Sequence, residues 1–515
     1  MGAAARVLSG SLAAWMKIGV MVATQIALVP VFLAHWSVEQ YGCWLVIQSI
    51  AAFANIFSVA HHNYVGNELL RVPGRNPGGL GRLLSAALPF SLAFGIFELS
   101  LLAVLVLGGH SAWIFDPDQQ LSASLLGEAA QALLLLSLAT MLSVFSTGLY
   151  ARAASALGLF PRTAWWGVGI TALQALSSAL FVTAGAGLFE TAMGMAGTTL
   201  VVYGLYQWDL RRLVLHNEVR LARSDLALGW HNLRLSWFLG LTYLLVLVRQ
   251  QGARILVSTQ LGVAPAADFS TMRTASNVAM QGIATVVDPV FPEFMGFLRD
   301  RRQSAVVGTM AFVWLVVVFI LAPVLVMLQL FAPFLFEIWT HGKLNFDPVV
   351  FALLSATLMV FAIARPADSV VLGNNLLRVQ LVTSMSLAVL TVVGIVWLDG
   401  RHGLRGVAAT LLLAEAISAI VLLRRAFLWM RSNGLQWPSR MFSLALTQTS
   451  LCALAALLIA AEPHWRLQVC FFMILFTCAL SVCFFAQVPM DQRNWLRHRV
   501  GRHVPFLNLK GAAND

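Results

Sequence analysis

The stretch VPVFLAHWSVEQYGCWLVIQSIAAFANIFSVAHHNYVGNELLR, residues 29–71, contains the end of one long apolar run, a short polar turn and a second apolar run. An apolar run of about 20 residues is long enough to cross a bilayer as a helix. The second run carries Gln48, Asn55 and His62 at intervals of seven residues. Seven residues make almost two full helical turns, so these side chains are expected in one line on one face. The stretch therefore predicts two membrane-spanning helices, one of which has a polar face.

The same pattern of long apolar runs continues along the whole chain. Of its 515 residues, 59% are apolar and 11% are charged, whereas soluble domains have roughly 25% charged residues. The first run lacks the small-residue cleavage site of a signal peptide, so we expect it to remain as a helix. The sequence predicts an all-α polytopic membrane protein with about 14 transmembrane helices. Their approximate positions, segments 1 to 14, are 12–34, 43–62, 83–108, 123–147, 165–184, 188–207, 235–258, 265–289, 304–328, 348–373, 379–398, 404–423, 441–461 and 467–487.

Positive charge is distributed unevenly between the two sides of the predicted bundle. With the N-terminus inside, 24 of the 33 lysines and arginines fall in the N-terminal segment, the loops on that side and the C-terminal tail, and 4 fall in the opposite loops. Because cytoplasmic loops are enriched in Lys and Arg, both termini are predicted to be cytoplasmic. The bias accounts for the formal net charge of +11 without a nucleic-acid partner. The remaining cations lie within predicted helices and are Lys17, Arg249, Arg254, Arg273 and Arg365.

The hexapeptide RQQGAR, residues 249–254, places two of these cations inside segment 7. A misassigned loop, side chains that snorkel to the membrane surface and an anion-binding site are three possible interpretations. Arg249 is about 14 residues from the inner end of the segment, roughly 20 Å at 1.5 Å per residue, and a charge at that depth is costly unless it faces water or a partner. We therefore expect Arg249 to bind an anion. Arg254 is close enough to the outer end to guard the rim, and the helix could bend at Gly252.

Polar residues on other segments extend this pattern. Segment 8 carries Arg273, Asn277 and Gln281 at intervals of four, and segment 1 carries Lys17. Polar lines on segments 1, 2, 7 and 8 predict a shared aqueous cavity, although the amides could instead act as interhelical hydrogen-bond partners. For Lys17, snorkelling and a cavity-facing position both remain open, whereas Arg365 is expected to snorkel. The candidate substrate-binding residues are Arg249, Arg273, Lys17, Arg254, Gln48, Asn55, His62, Asn277, Gln281 and Gln250.

The chain is predicted to consist of two halves joined by a long basic connector. The turns VFLAHWSVEQYGCW (31–44) and ILVSTQLGVAPAADF (255–269) each join two helices that have internal polar residues, a faint repeat of the kind found in transporter lobes. The connector is partly amphipathic, so an interfacial helix and a solvated linker are both open. The predicted organisation is an N-lobe with helices 1–6 at 1–208, the connector at 209–234, a C-lobe with helices 7–12 at 235–425, helices 13–14 at 426–490 and a basic cytoplasmic tail at 491–515.

The sequence contains no motif for nucleotide-driven transport or metal-dependent hydrolysis. Neither GxxxxGK[ST] nor HExxH occurs, and the five cysteines show no metal-ligand spacing, so we expect no cofactor and no metal. Short outer loops weigh against a membrane glycosyltransferase or polymerase. Glu98, Glu128 and Glu415 could relay protons, but structural pairing or exposure at a helix edge is the favoured interpretation for all three.

Residues 29–71 resemble the N-terminal signature of bacterial polysaccharide flippases in the multidrug/oligosaccharidyl-lipid/polysaccharide exporter superfamily. The shared features are Pro30 in the first helix, the turn ending in Tyr41-Gly42-Cys43-Trp44 and the polar segment from His61 to Glu68. The predicted topology and the block ADFSTMRTASNVAMQGIATVVDPVFPEFM (267–295) extend the resemblance to most of the chain. Such flippases commonly have an aspartate-glycine pair near the end of the second helix. Val59-Ala60 stands there in this chain, which puts a role for that acidic group in doubt.

This resemblance implies two pseudo-equivalent six-helix lobes around a central cavity lined by segments 1, 2, 7 and 8, with two extra C-terminal helices. It implies a flippase, not an enzyme, that moves undecaprenyl-diphosphate-linked oligosaccharide to the periplasmic leaflet of the bacterial inner membrane by alternating access. The product would supply exopolysaccharide or O-antigen synthesis. Expected partners are that lipid-linked substrate, membrane lipids and polysaccharide polymerase or assembly proteins. A peptidoglycan-precursor flippase and a cation-coupled multidrug exporter of the same superfamily remain open as alternatives.

Overall fold

The computed structural model describes residues 3–72, 76–115, 121–287, 291–374 and 376–488. Every regular element in these ranges is helical, as the sequence predicts. The helices are α1 Ala3–His35, α2 Val38–Phe53, α3 Ile56–Arg71, α4 Pro77–Leu105, α5 Ser111–Phe115, α6 Ala123–Ala156, α7 Phe160–Thr183, α8 Leu188–His216, α9 Leu226–Leu247, α10 Ala253–Leu261, α11 Val263–Val287, α12 Phe291–Arg299, α13 Gln303–Val316, α14 Ala322–Thr340, α15 Pro348–Gly373, α16 Leu377–Ser432, α17 Ser439–Ala461 and α18 Arg466–Gln487. Helix α16 is kinked at Gly403, whose φ is 55°, and contains two of the spans counted below.

The length and composition of these helices make the chain a multi-pass membrane protein. In the described ranges, 11 helices are long and apolar enough to span a membrane, and the bent pair α2 and α3 raises the number to 12. Predicted segments 7 and 8 are helical, in α9 with α10 and in α11, but they are not among these spans. The total of fourteen therefore stays a prediction.

The chain forms two compact units. The first contains the described residues within 3–274, 336–345 and 388–407, and the second contains the described residues within 275–335, 346–387 and 408–488. The predicted lobe boundaries at 208 and 235 stay predictions, and the predicted tail at 491–515 lies outside the described residues.

Each unit has its own apolar core. In the first, residues of α3, α4, α6 and α8 such as Leu69, Leu84, Leu149 and Leu210 are fully buried together. In the second, the core centres on Trp314, whose indole nitrogen donates a hydrogen bond of 3.0 Å to the carbonyl of Ile363.

The residues of the Tyr-Gly-x-Trp signature have packing roles at the turn between α1 and α2. Ser37 and Gln40 form a capping box at the start of α2. A Cβ atom at Gly42 would lie 2.2 Å from the carbonyl oxygen of Val263, so only glycine permits this approach of α2 to the start of α11. Tyr41 and Trp44 are buried beside it. The motif is therefore explained by packing within the first unit.

The predicted second transmembrane helix is broken at residues 54 and 55. Helices α2 and α3 are bent by 42° at this point, so Gln48 and His62 do not share one straight helical face as the seven-residue spacing predicted. The break leaves the first amides of α3 without partners inside the helix. Glu98 of α4 accepts hydrogen bonds from the Phe57 amide at 2.7 Å and from the Ser58 hydroxyl at 2.6 Å. Glu98 is thus a structural partner, as expected from the sequence, and it caps another helix.

The link between α8 and α9 is shorter than the predicted connector at 209–234. Helix α8 continues to His216, and α9 begins at Leu226. Asp225 accepts a hydrogen bond from the Leu228 amide at 3.0 Å and pairs with Arg82 at 2.7 Å. The Leu228 amide and then the Arg82 guanidinium hold the pKa of this half-buried carboxyl below its ordinary value, because both favour its ionised form.

Removing the Glu98 carboxylate is expected to leave the start of α3 without its hydrogen-bond acceptor and so to destabilise the protein. An unsatisfied buried donor costs about 1–3 kcal/mol, so Glu98→Ala should lower the thermal unfolding midpoint of the purified protein in detergent. Glu98→Gln, which keeps one acceptor oxygen, should lower it less. Glu39→Gln, which neutralises an exposed carboxylate on α2, is the matched control. An unchanged midpoint for Glu98→Ala would contradict the capping role.

Candidate functional site

A cavity of about 540 Å³ lies inside the first unit, a size typical of small-molecule sites. It is formed by α1, α3, α6, α7 and α8, near the turn where α6 ends and α7 begins. The lining residues are Lys17, Val59, His62, Asn63, Val144, Thr147, Gly148, Ala151, Arg152, Ser155, Phe160, Thr163, Ala164, Gly167, Ile170, Tyr203 and Tyr206.

Among the described residues, the charged side chains that line this cavity are the cations Lys17 and Arg152, and none of the lining residues is a carboxylate. Both side chains are accessible. In the described part of the chain, neither forms an ion pair. A concave site with unpaired charge of one sign attracts ligands of the opposite sign. The cavity is therefore suited to an anion.

An acidic residue outside the cavity lining, Asp209 of α8, is already neutralised by α7. Arg162 donates hydrogen bonds to its two carboxylate oxygens at 2.9 and 2.5 Å. The Trp166 indole donates another at 2.8 Å. Because Asp209 is satisfied by these donors, it leaves the charge of Lys17 and Arg152 uncompensated.

Arg152 is held in place by α3. A Cβ atom at Gly66 would lie 2.8 Å from the Cδ atom of Arg152, so this glycine makes room for the aliphatic part of the side chain. The guanidinium donates a hydrogen bond to the side-chain carbonyl of Asn63. The Asn63 amide donates in turn to the Tyr243 hydroxyl at 3.1 Å. Residues of α3 and α9 thus fix this cation at the cavity.

His62 forms part of the wall between α3 and α6. Its Nε2 atom lies 2.6 Å from the Ser91 hydroxyl oxygen, and that hydroxyl donates its hydrogen to the Phe145 carbonyl at 2.6 Å. Since Ser91 has a single hydrogen, Nε2 of His62 must be the donor. A Cβ atom at Gly148 would lie 2.3 Å from Nδ1 on the other side of the ring. His62 therefore fills a slot that glycine keeps open.

The structure brings together two of the residues predicted for the site, Lys17 and His62. Gln48 and Asn55 lie on α2 and at the helix break, outside this lining, and contact Met195 and the carbonyl of Ala51. Arg254, expected at an outer rim, is half-buried and donates hydrogen bonds to Ser270 at 2.8 Å and to Ser49 at 3.1 Å.

None of the remaining predicted residues is among the described residues that line this cavity. The guanidinium of Arg273 lies 5.9 Å from the ring centre of Phe269, within reach of a cation–π contact. Gln281 is half-buried in the second unit. The side chains of Arg249, Gln250 and Asn277 lie outside the described residues.

Arg152, Asn63, Tyr203 and Tyr206 were not predicted as site residues. The apolar window of segment 4 ends at about residue 147, which leaves Arg152 outside the predicted helix. In the structure α6 continues to Ala156 and is stopped at Gly158, which has φ of 84°. Glycine in this conformation commonly ends helices, so the glycine was the signal that could have kept Arg152 on the helix.

Comparison with known proteins finds solved structures that have a similar fold. No family model matches the chain, and no curated protein matches its sequence. Among solved structures, a lipid II flippase, MurJ, in an inward closed conformation is similar with a TM-score of 0.61 and 11% identity, over 93% of this chain and 98% of that chain.

Multidrug transporters share the fold as well. The inward-facing conformation of a multidrug resistance MATE family transporter of the MOP superfamily is similar with a TM-score of 0.61 and 14% identity, over 81% of this chain and 95% of that chain. The outward-facing conformation of such a transporter is similar with a TM-score of 0.53 and 16% identity, over 83% of this chain and 96% of that chain. The chain therefore shares its fold with a lipid II flippase and with multidrug transporters.

Filling the slot beside His62 is expected to disturb the cavity wall. In Gly148→Ala the new Cβ atom would displace the His62 ring from Ser91, and overpacking of this kind typically costs about 1–3 kcal/mol. The thermal unfolding midpoint of the purified protein should fall. Gly127→Ala, on the same helix with nothing within 4 Å of the new atom, is the control and should unfold like the wild type. Equal midpoints for the two variants would rule out the close packing.

Proposed function

We propose that this protein is a flippase for an anionic lipid-linked oligosaccharide. Its substrate would be undecaprenyl-diphosphate-linked oligosaccharide, moved from the cytoplasmic to the periplasmic leaflet of the bacterial inner membrane. The observation that carries this proposal is the cavity of the first unit, in which the charged lining residues are Lys17 and Arg152. A diphosphate needs cationic partners in a site shielded from bulk water, and a guanidinium can bind two phosphate oxygens at once.

The predicted topology puts this cavity on the side where such a substrate is made. Residues 144–155 at the end of α6 and residues 160–170 at the start of α7 contribute much of the lining. The charge bias of the loops predicts that this turn is cytoplasmic. The headgroup would enter the cavity from that side while the polyprenyl tail stays in the bilayer. Release to the other leaflet requires weaker binding in a second conformation.

The cations predicted on other helices belong to the same proposal. Arg249 and Arg273 would meet the headgroup in the central cavity that the sequence resemblance implies. Arg249 belongs to a π-helical turn, Val248–Gly252, and such turns are frequent at functional sites. This observation supports a specialised role for the RQQGAR segment.

Two alternatives differ in the substrate. A peptidoglycan-precursor flippase also moves a diphosphate lipid, and the likeness to the lipid II flippase supports it equally well. A multidrug exporter is supported by the likeness to MATE transporters, but cationic drugs favour acidic cavities. The cations of this cavity therefore favour a flippase over a drug exporter.

Neutralising both cavity cations is expected to stop export. A strain that lacks this protein would be complemented with the double variant Lys17→Gln and Arg152→Gln, and its surface polysaccharide would be measured together with the amount of protein in the membrane. We expect normal protein and a loss of surface polysaccharide of at least about tenfold, since hydrogen bonds to charged groups contribute about 1.5–3 kcal/mol each. Arg223→Gln, an exposed arginine before α9, is the control. Normal export by the double variant would overturn the anion-site proposal.

Arg249 gives a separate test of the central cavity. Arg249→Ala is expected to abolish surface polysaccharide while the protein still accumulates in the membrane. Arg249→Lys should keep part of the activity, because the charge remains and the bidentate geometry is lost. Normal export by both variants would exclude Arg249 as an anion ligand.

The same strains separate the two flippase alternatives. The wild-type gene would also be expressed in cells depleted of their peptidoglycan-precursor flippase. Rescue of growth there, without restored surface polysaccharide in the first strain, would assign the peptidoglycan precursor as the substrate.

A further inference from the structure

One wall of the cavity is aromatic. Phe160 of α7 and Tyr203 and Tyr206 of α8 all line it. The two tyrosines are three residues apart, so they lie on the same face of α8. Lys17 and Arg152 line the same cavity from α1 and α6. The site thus combines cations with an aromatic surface.

Residues outside the cavity lining hold the ring of Tyr206 in place. The ring of Tyr206 stacks on Trp166 with ring centres 5.2 Å apart and an interplanar angle of 28°. The Trp166 indole is fixed by its 2.8 Å hydrogen bond to Asp209, and Asp209 is bound by Arg162. A ring that is already ordered loses little side-chain entropy when a ligand binds. These contacts therefore make Tyr206 a pre-organised surface.

The tyrosine hydroxyl groups are available to a ligand. Within the described residues, neither the Tyr203 nor the Tyr206 hydroxyl has a hydrogen-bond partner, and neither oxygen is among the sealed, unsatisfied polar atoms. Each hydroxyl can both donate and accept. Aromatic rings with free hydroxyls suit a ligand that has apolar faces and a polar rim, and a pyranose ring has this chemistry.

We propose that the cavity is a two-part site, in which Lys17 and Arg152 bind a phosphate group and Tyr203, Tyr206 and Phe160 bind a sugar ring attached to that phosphate. The assignment rests on the proposed function, because it takes a sugar phosphate linked to lipid as the ligand. The volume of about 540 Å³ accommodates a small-molecule headgroup. A longer oligosaccharide would extend beyond this wall.

Two probes that differ by a single sugar test the second part of the site. One is farnesyl diphosphate, and the other is farnesyl diphosphate that carries one N-acetylglucosamine. Their affinities for the full-length protein in nanodiscs would be measured by thermophoresis. We expect the wild type to bind the glycosylated probe more tightly. The double variant Tyr203→Phe and Tyr206→Phe should lose about tenfold in affinity for it, as expected for two hydrogen bonds, with no change for farnesyl diphosphate.

Control variants separate this inference from the proposed function. Tyr150→Phe removes a tyrosine hydroxyl of α6 that does not line the cavity, and it should bind both probes like the wild type. Lys17→Gln with Arg152→Gln should weaken both probes alike. If that variant binds both normally, or if the wild type binds neither, the proposed function fails.

The sugar site can fail while the proposed function stands. In that case the cation variant still loses affinity for farnesyl diphosphate. The wild type then binds the two probes equally, or the double tyrosine variant binds the glycosylated probe as tightly as the wild type does. Inorganic pyrophosphate identifies the source of the phosphate group. If it competes as strongly as farnesyl diphosphate, the cavity binds free phosphate compounds, and the assignment to a lipid-linked sugar is overturned.

Discussion

A helix inside a membrane can be interrupted only where its freed backbone amides find another acceptor, because lipid offers none. The cavity of the first unit depends on this constraint. The break between α2 and α3 is completed by Glu98, which lies 2.7 Å from the Phe57 amide and 2.6 Å from the Ser58 hydroxyl. The redirected α3 then supplies His62 and Asn63 to the cavity. A buried carboxylate on one helix thus determines the course of another helix, and through it the wall of the site.

The charge pattern of the cavity follows from which acidic residues are already paired. Asp209 is bound by Arg162 and Trp166, and Glu98 is bound by the start of α3. The cations Lys17 and Arg152 are left to face the open space. Unpaired charge of one sign in a concave site attracts ligands of the opposite sign. The hydrogen bonds of Asp209 to Arg162 and Trp166 also connect α7 with α8. Trp166 in turn stacks on Tyr206 and orders its ring. The charge of the cavity and its aromatic wall therefore depend on the same contacts.

The helical class, the approximate helix positions and two members of the cavity, Lys17 and His62, could be predicted from the sequence. Long apolar runs indicate spanning helices, and isolated polar residues within such runs indicate positions that face away from lipid. Arg152 could not be found with a hydropathy window, since the helix outlasts its apolar run and ends only at Gly158. Tyr203 and Tyr206 had no distinguishing local pattern, and only tertiary packing places them beside the cations. The seven-residue spacing of Gln48, Asn55 and His62 predicts one polar face only if the helix is continuous. The helix is broken between α2 and α3. The carboxylate that caps α3 belongs to Glu98, some forty residues later in the chain, and no local pattern indicates it.

The π-helical turn at Val248–Gly252 changes the geometry of the RQQGAR segment. On a regular α-helix positions 249 and 254 would be separated by about 140° around the axis. In a π turn, where hydrogen bonds connect residue i to i+5, positions five apart come close to vertical alignment. Position 249 therefore stands nearly one turn below Arg254, whose side chain contacts Ser49 and Ser270. Because it contains one extra residue, this turn sets the angular position of α10 around the helix axis. A regular α-helical turn through the same residues would instead rotate all of α10 by about 100° relative to α9, and the hydrogen bonds of Arg254 to α2 and α11 depend on the present orientation.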